Sequence, residues 1–178
     1  MRIISGQYRG KRITAPKKLP VRPTTDMAKE ALFNILNNYF HFEEVSVIDL
    51  YAGTGNLSYE FASRGAKQIF AIDANAACVA FILKTARELD LNITPIKADV
   101  LKYLEKSRAQ ADIVFADPPY DMALADFEAI TFLVFKKQLL AKNGMLVIEH
   151  SKHMDLSYLA HFSEQRSYGG SAFSFFQE

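Results

Sequence analysis

From Val45 onward, short apolar runs alternate with segments of helical periodicity, and this alternation limits the fold more than any other feature of the sequence. "VSVIDLYA", "QIFAID", "ITPIKAD", "ADIVFADPP" and "GMLVIEHS" are nearly continuous in apolar residues, whereas Leu57 to Arg64 and Ala76 to Leu89 repeat at helical spacing. A strand that is apolar on both sides must be covered on both faces, so an α/β fold with a mostly parallel sheet between layers of helix is predicted. The end of the chain differs. "FSEQRSYGGSAFSFFQE" reads as two strands joined through Gly169 and Gly170, an antiparallel terminal hairpin whose Tyr168, Phe173, Phe175 and Phe176 pack on the helices.

The chain has 178 residues, 49% of them apolar and 23% charged, and fits one domain. No apolar stretch approaches the roughly 18 residues of a membrane span. "MRIISGQYRG" lacks a secretory leader pattern and Cys78, the one cysteine and a core candidate, has no partner within the chain, so a soluble cytoplasmic monomer is expected. The net charge of +1 conceals an asymmetry. Residues 1 to 30 hold Arg2, Arg9, Lys11, Arg12, Lys17, Lys18, Arg22 and Lys29 against Asp26 and Glu30, a segment of +6 on a body of −5. Such an arm is either a solvated face or a contact for nucleic acid. Its alternating "RIISGQYRGKRIT" suggests a β-hairpin within residues 1–23. After a proline-rich stretch, Thr24 or Thr25 offers an N-cap, and Met27, Ala31, Leu32, Ile35, Leu36 and Tyr39 predict a helix over residues 24–40. Residues 45–178 form the α/β core.

Gly53 and Gly55 in "DLYAGTGNLSYEFASRG" lie at the turn after the first parallel strand, where open α/β sheets bind ligands and glycine lets the backbone approach closely. The same glycines could merely make a tight turn. Ser58 stands where the dinucleotide fingerprint has its third glycine, which disfavours a pyrophosphate. Asp49, Asp73 and Asp99 stand at or near the ends of three consecutive strands. Asp73 is spaced to accept from ribose hydroxyls, although Asp73 or Asp99 could serve only as a helix N-cap. Together they describe an acidic crevice suited to a cationic ligand, and S-adenosylmethionine, a sulfonium with a free ammonium, fits that field.

The fourth strand delivers "FADPPY" to this edge. Two prolines hold Asp117 extended, so a carboxylate and an aromatic ring are fixed at the strand end. Asp117 and the Pro118 carbonyl can each accept from one N–H of an exocyclic amine, while Tyr120 offers a face to a base taken out of its stack. Methyl transfer to that amine is the chemistry such a set serves, by positioning and electrostatics.

"DLYAGTGNLSYEFASRGA", "AIDAN" and "FADPPY" resemble the class I S-adenosylmethionine-dependent methyltransferases that modify amino groups. More closely, "RIISGQYRGKRI", "RPTTDMAKEALFNIL", "VIEHS" and "RSYGGSAFSFF" resemble the RsmD family, bacterial methyltransferases acting on N2 of a guanine in small-subunit (16S) ribosomal RNA. The resemblance runs nearly end to end. It implies a Rossmann-like seven-stranded sheet with a reversed final strand. It also implies cofactor contacts from Gly53, Gly55, Asp73 and Asp99, joined by Arg22, Thr24 and Thr25, with Asp49 and Asp117 facing the same ligand. Asp117, Pro118 and Tyr120 become the catalytic candidates, and Arg2, Arg9, Lys11, Arg12, Lys17 and Lys18 the RNA contacts. The segment after Tyr120, "DMALADFEAI", reads as a short loop without a basic residue. His150 and His153 beside Glu149 are expected to be polar residues at a strand end, with no metal. Alternative readings are an adenine-N6 methyltransferase acting on DNA or RNA, since the motif accepts either base, and a non-catalytic rRNA-binding assembly factor on the same scaffold.

Overall fold

Near-continuous apolar strands demand cover on both faces, and the computed structural model, which describes residues 1–16, 18–19 and 24–178, provides it. Seven strands, β1 (Ser46–Leu50), β2 (Gln68–Asp73), β3 (Ile93–Lys97), β4 (Ala111–Ala116), β5 (Leu140–Ser151), β6 (Phe162–Tyr168) and β7 (Ser171–Phe176), form one sheet in the order β3-β2-β1-β4-β5-β7-β6. The first five run parallel, and β7 enters antiparallel against β5 and β6. This is the predicted seven-stranded α/β sheet with a reversed last strand. The strand order switches sides between β1 and β4, leaving a crevice at their C-terminal ends.

Among the described residues, five α-helices complete the layers: α1 (Asp26–Leu36), α2 (Asn56–Ser63), α3 (Ala76–Glu88), α4 (Val100–Lys106) and α5 (Leu124–Lys136). One face of the sheet packs Leu32, Phe33, Phe61 and Ile82 against Phe115, Val147 and Phe173. The other packs Leu104, Phe127, Ile130 and Val134 against Ile48, Val114 and Ile148. Phe173 and Phe175 join the first core and Phe176 the second, so the C-terminal aromatics are packing residues, as their alternation suggests. Two expectations need correction. The helix expected over residues 24–40 ends at Leu36 and continues only as hydrogen-bonded turns to Phe40. The segment after Tyr120 is mostly helix, because "LADFEAITFLVF" buries Phe127, Ile130 and Val134 at helical spacing. Among the described residues no helix is long and apolar enough to cross a membrane.

The N-terminal segment also departs from the regular hairpin. Its two runs meet at a single bridge, Arg2 with Arg12, flanked by bonds from Ile3 and Ile13 amides to the Lys11 and Met1 carbonyls. The donors between them turn to α2 instead. The Ile4 and Ser5 amides donate to Glu60 at 2.8 and 3.0 Å, the Gln7 amide to the Ser63 carbonyl at 2.7 Å and the Tyr8 amide to Ser63 Oγ at 2.9 Å. Gly6, at φ +78°, lies so close to α2 that an added Cβ would meet the Ser63 oxygen at 1.8 Å. Beneath this contact, fully buried Glu60 pairs with Arg64 at 2.9 Å and with fully buried Lys29 at 3.6 Å. Burial lowers the Lys29 pKa, and Glu60 and Asp26 oppose that shift. Lys29 was counted with the basic arm, but it is spent inside the molecule.

Removing one partner of a buried ionic cluster leaves the others uncompensated, at a cost of about 3–5 kcal/mol. Glu60→Ala is therefore expected to destabilise the protein by about that amount in urea titration, and to speed hydrogen exchange at Ile4 and Ser5. A loss below about 1 kcal/mol, the worth of an exposed pair, would contradict this role.

Candidate active site

The carboxyl ends of β1, β2 and β4 and the loops that follow them open into a cleft of about 520 Å³. Asp49, Gly53, Asp73, Asp99, Asp117, Pro118 and Tyr120 line it together with Thr24. Five strand-end or loop regions far apart in sequence thus meet in one place. Among its described lining residues there are four carboxylates and no lysine or arginine, with Tyr51, Leu57, Val100 and Phe115 adding apolar wall. A volume in the ligand-pocket range, acids of one sign and apolar walls fit an aromatic, cationic ligand of nucleoside size.

Each acid is held differently. Asp73 accepts from the Gly53 amide at 2.8 Å and the Asn75 amide at 2.7 Å, which ties the glycine loop to the end of β2. Asp99 caps α4 by accepting from the Lys102 amide at 3.0 Å while still lining the cleft, so the capping role and the cleft position coexist. Asp49 is 2% exposed, and Ser58 Oγ donates to it at 2.5 Å. Burial pushes its pKa up to about 7, against the Ser58 bond, with Asp73 adding to the rise. A cation bound in the cleft would favour its ionised form. Tyr51 takes a left-handed backbone at φ 60°, and burial pushes its hydroxyl up to about 12.

Not every candidate reaches the cleft. Gly55 N-caps α2 at φ +83°, where a Cβ would meet the Tyr59 ring at 2.8 Å and Ile82 at 3.0 Å. Conformation and packing therefore account for glycine there, while Gly53 lines the cleft. Thr25 caps α1 by accepting from the Ala28 amide at 3.2 Å and lines the narrower pocket beside the cleft, not the cleft itself. Arg22 and Lys17 fall outside the described residues. Cys78 is buried, as a core residue would be, yet it borders the cleft, and burial raises its thiol pKa.

Asp117 and Tyr120 follow directly on β4. The Asp117 amide donates to the Leu50 carbonyl at 3.3 Å, which fastens the turn to β1. Tyr120, 45% exposed, makes a 2.7 Å hydroxyl contact with Ser171 of the terminal hairpin. Its ring is thus held at the rim. A narrower pocket of about 130 Å³ continues from there and is lined by Thr24, Asp117, Tyr120, Glu149 and the turn at Gly169 and Gly170. The sequence reading passed over Glu149 except as a neighbour of histidines; its strand-end position next to the fourth strand was the available signal. His150 Nε2 contacts Ser174 Oγ at 2.7 Å and its Nδ1 contacts the Ser151 carbonyl at 2.9 Å, and burial lowers its pKa. Among the described residues no group of three or more His, Cys, Asp or Glu could hold a metal ion.

Of the arm candidates, Arg9, Lys11, Arg12 and Lys18 are exposed. Arg2 pairs with Asp26 at 3.0 Å on the surface.

An acid whose folded pKa exceeds its unfolded value stabilises the protein most below the unfolded pKa, and that contribution is lost as pH rises through the folded pKa. For Asp49 the window runs from the ordinary aspartate value of 3.8 to about 7. Between pH 4.5 and 7, the stability of the native chain should therefore fall relative to Asp49→Asn by roughly 1.4 kcal/mol per pH unit at most. Urea titrations at several pH values check this; a constant difference would mean that Asp49 is ionised throughout.

Comparison with known proteins agrees with this geometry. The chain is 32% identical to the Haemophilus influenzae "Ribosomal RNA small subunit methyltransferase D", over 88% of this chain and 81% of the relative. The solved structure of a putative methyltransferase, yhhF, from Escherichia coli superposes with a TM-score of 0.87 at 26% identity, covering 99% of this chain and 97% of that one. A Thermus thermophilus 16S rRNA N2 G1207 methyltransferase, solved with AdoMet and guanosine, shares the fold with a TM-score of 0.72 at 20% identity, over 90% of this chain and 45% of its own. The family model described as "Conserved hypothetical protein 95" matches residues 1–177, and the chain belongs to that family, the RsmD family.

Proposed function

We propose that this protein is an S-adenosylmethionine-dependent methyltransferase that modifies the exocyclic N2 amine of a guanine in small-subunit ribosomal RNA, in the cytoplasm. The observation that carries this reading is the placement of Asp117, Pro118 and Tyr120 at the mouth of an acidic cleft, in a chain whose relatives are named for that RNA.

Bound S-adenosylmethionine supplies a methyl group on a sulfonium and leaves as S-adenosylhomocysteine. Asp73 is placed to accept from ribose hydroxyls while its backbone bonds hold it still. Asp117 carboxylate and the Pro118 carbonyl are the acceptors for the two amine hydrogens, and they orient the nitrogen lone pair into the cleft. This placement reduces lone-pair delocalisation into the base ring as the N–C bond forms and the C–S bond breaks. The surplus amine proton leaves to solvent water after transfer, when the nitrogen has become acidic. Tyr120 stacks on the base removed from its helix. A non-catalytic assembly factor would have no need to keep these groups together.

The exposed Arg9, Lys11, Arg12 and Lys18 serve as phosphate contacts, while Lys29 and Arg2 are committed to Glu60 and Asp26.

Asp117→Ala is expected to abolish methyl transfer while S-adenosylmethionine affinity changes by only a few fold, as read by single-turnover rates and calorimetry. Near-normal turnover would refute the mechanism. Tyr120→Phe should keep most activity and Tyr120→Ala lose it, since stacking is worth about 1–3 kcal/mol per base; equal damage would assign the role to the hydroxyl and its Ser171 contact. Replacing Arg9, Lys11 and Arg12 together with Ala should lower the log–log salt slope of RNA binding by about 2 units and spare the saturated rate. An unchanged slope in filter binding would show that RNA docks elsewhere.

A further inference from the structure

The pocket beside Asp117 has a floor that the transfer step does not use. Ala116, the last residue of β4, is in register with Ile148 of β5, and the next residues are Asp117, just beyond β4, and Glu149 of β5. Side chains alternate along a strand, and Phe115 and Val147, two positions earlier in each, pack in the same core, so both acids belong to that face. Glu149 is 4% exposed yet lines the narrow pocket together with Asp117 and Tyr120. Thr24 Oγ1 donates to Glu149 Oε2 at 3.2 Å, and the Thr24 carbonyl accepts from Asn56 Nδ2 at 3.2 Å. Thr24 therefore fixes the carboxylate from the wall shared by the cleft and the pocket. An ionised carboxylate has about four acceptor sites, so a carboxylate that keeps protein partners can still accept from a ligand in the pocket it lines.

We infer that Glu149 is a specificity residue that accepts the N1–H of the target guanine while Asp117 and the Pro118 carbonyl hold its N2 amine. This rests on the guanine-N2 reading and deepens it. Guanine alone among the amino-bearing bases carries a ring N–H beside its exocyclic amine. In adenine and cytosine the ring nitrogen next to the amine is an acceptor, which a carboxylate repels. Two acids side by side on one face of the sheet are complementary to that row of donors, as one acid and a neutral amide would not be. Recognition of a flipped base on its Watson–Crick edge is the general mode for enzymes that modify bases. The turn at Gly169 and Gly170, joined to Tyr120 through Ser171, closes the pocket around the base. The choice between guanine and adenine, which the Asp-Pro-Pro-Tyr motif leaves open, then falls to β5.

The test uses an unmethylated small-subunit rRNA fragment carrying the target guanine, and the same fragment with 2-aminopurine in its place. The analogue keeps the C2 amine but has an acceptor at N1 and lacks O6. Single-turnover rates should favour guanine by about 100-fold or more in the native protein, because a buried acceptor is left facing a lone pair. In Glu149→Gln the amide can donate to the analogue, so the preference should shrink to less than about 10-fold with cofactor affinity unchanged. Loss of O6 slows both proteins alike, so only the N1 contact makes the ratio depend on residue 149. Glu149→Asp, which withdraws the charge by one methylene, should also narrow the preference and replaces the Gln variant if that does not fold. A native protein that methylates both fragments equally, or variants that retain the full preference, would overturn the inference and leave the guanine-N2 reading standing. Methyl found on a base other than guanine would overturn both.

Discussion

The pairing of β4 between β1 and β5 is the constraint on which the molecule depends. Leu50, Ala116 and Ile148 lie side by side across three parallel strands, buried on both faces. Their register decides which residues emerge at the carboxyl edge and in what relation. A shift by one residue would turn every side chain to the opposite face and remove Asp49 and Asp117 from a common cleft. The two prolines after Asp117 then stop the strand without freeing the backbone, so the geometry of the sheet carries over into the turn. Precision at the site therefore comes from hydrophobic burial several residues away.

A second constraint fastens the basic arm to this core. Glu60, itself fully buried, gathers two arm amides, Lys29 and Arg64. A buried ionic cluster adds little net stability, but it discriminates strongly between the docked arrangement and any other, because a misplaced arm leaves charge uncompensated. Lys29 also donates to Asn56 at 3.0 Å and to the Arg2 carbonyl at 2.6 Å. Asn56 begins α2 and borders the cleft, so arm, helix and cleft share one set of hydrogen bonds. On the proposed reading, binding of RNA and chemistry on it belong to different parts of the chain joined by this contact.

The strand-end acids, the glycine turn, the Asp-Pro-Pro-Tyr stop and the terminal hairpin were legible in the sequence because each depends on local pattern: period, turn residues and proline geometry. What local pattern could not supply was partnership across long separations. Lys29 looks like any arm cation until Glu60 is beneath it, and the Thr24 bond to Glu149 spans 125 residues. The N-terminal segment has the alternation of a hairpin, yet its amides are drawn to α2, so it forms one bridge. The helix after Tyr120 was missed because its apolar residues follow a turn with no capping side chain to announce them. Gly55 shows the converse, since a motif glycine belonging by pattern to a ligand loop is required here by the Tyr59 ring.

The central claim is that these parts cooperate to methylate a guanine amine in small-subunit rRNA, and its most direct test is chemical. Small-subunit rRNA from a strain lacking this gene, incubated with the purified protein and S-adenosylmethionine and digested to nucleosides, is expected to gain one equivalent of N2-methylguanosine by mass spectrometry. No gain should occur without the protein. Appearance of N6-methyladenosine, or of no methylated nucleoside at all, would contradict the account.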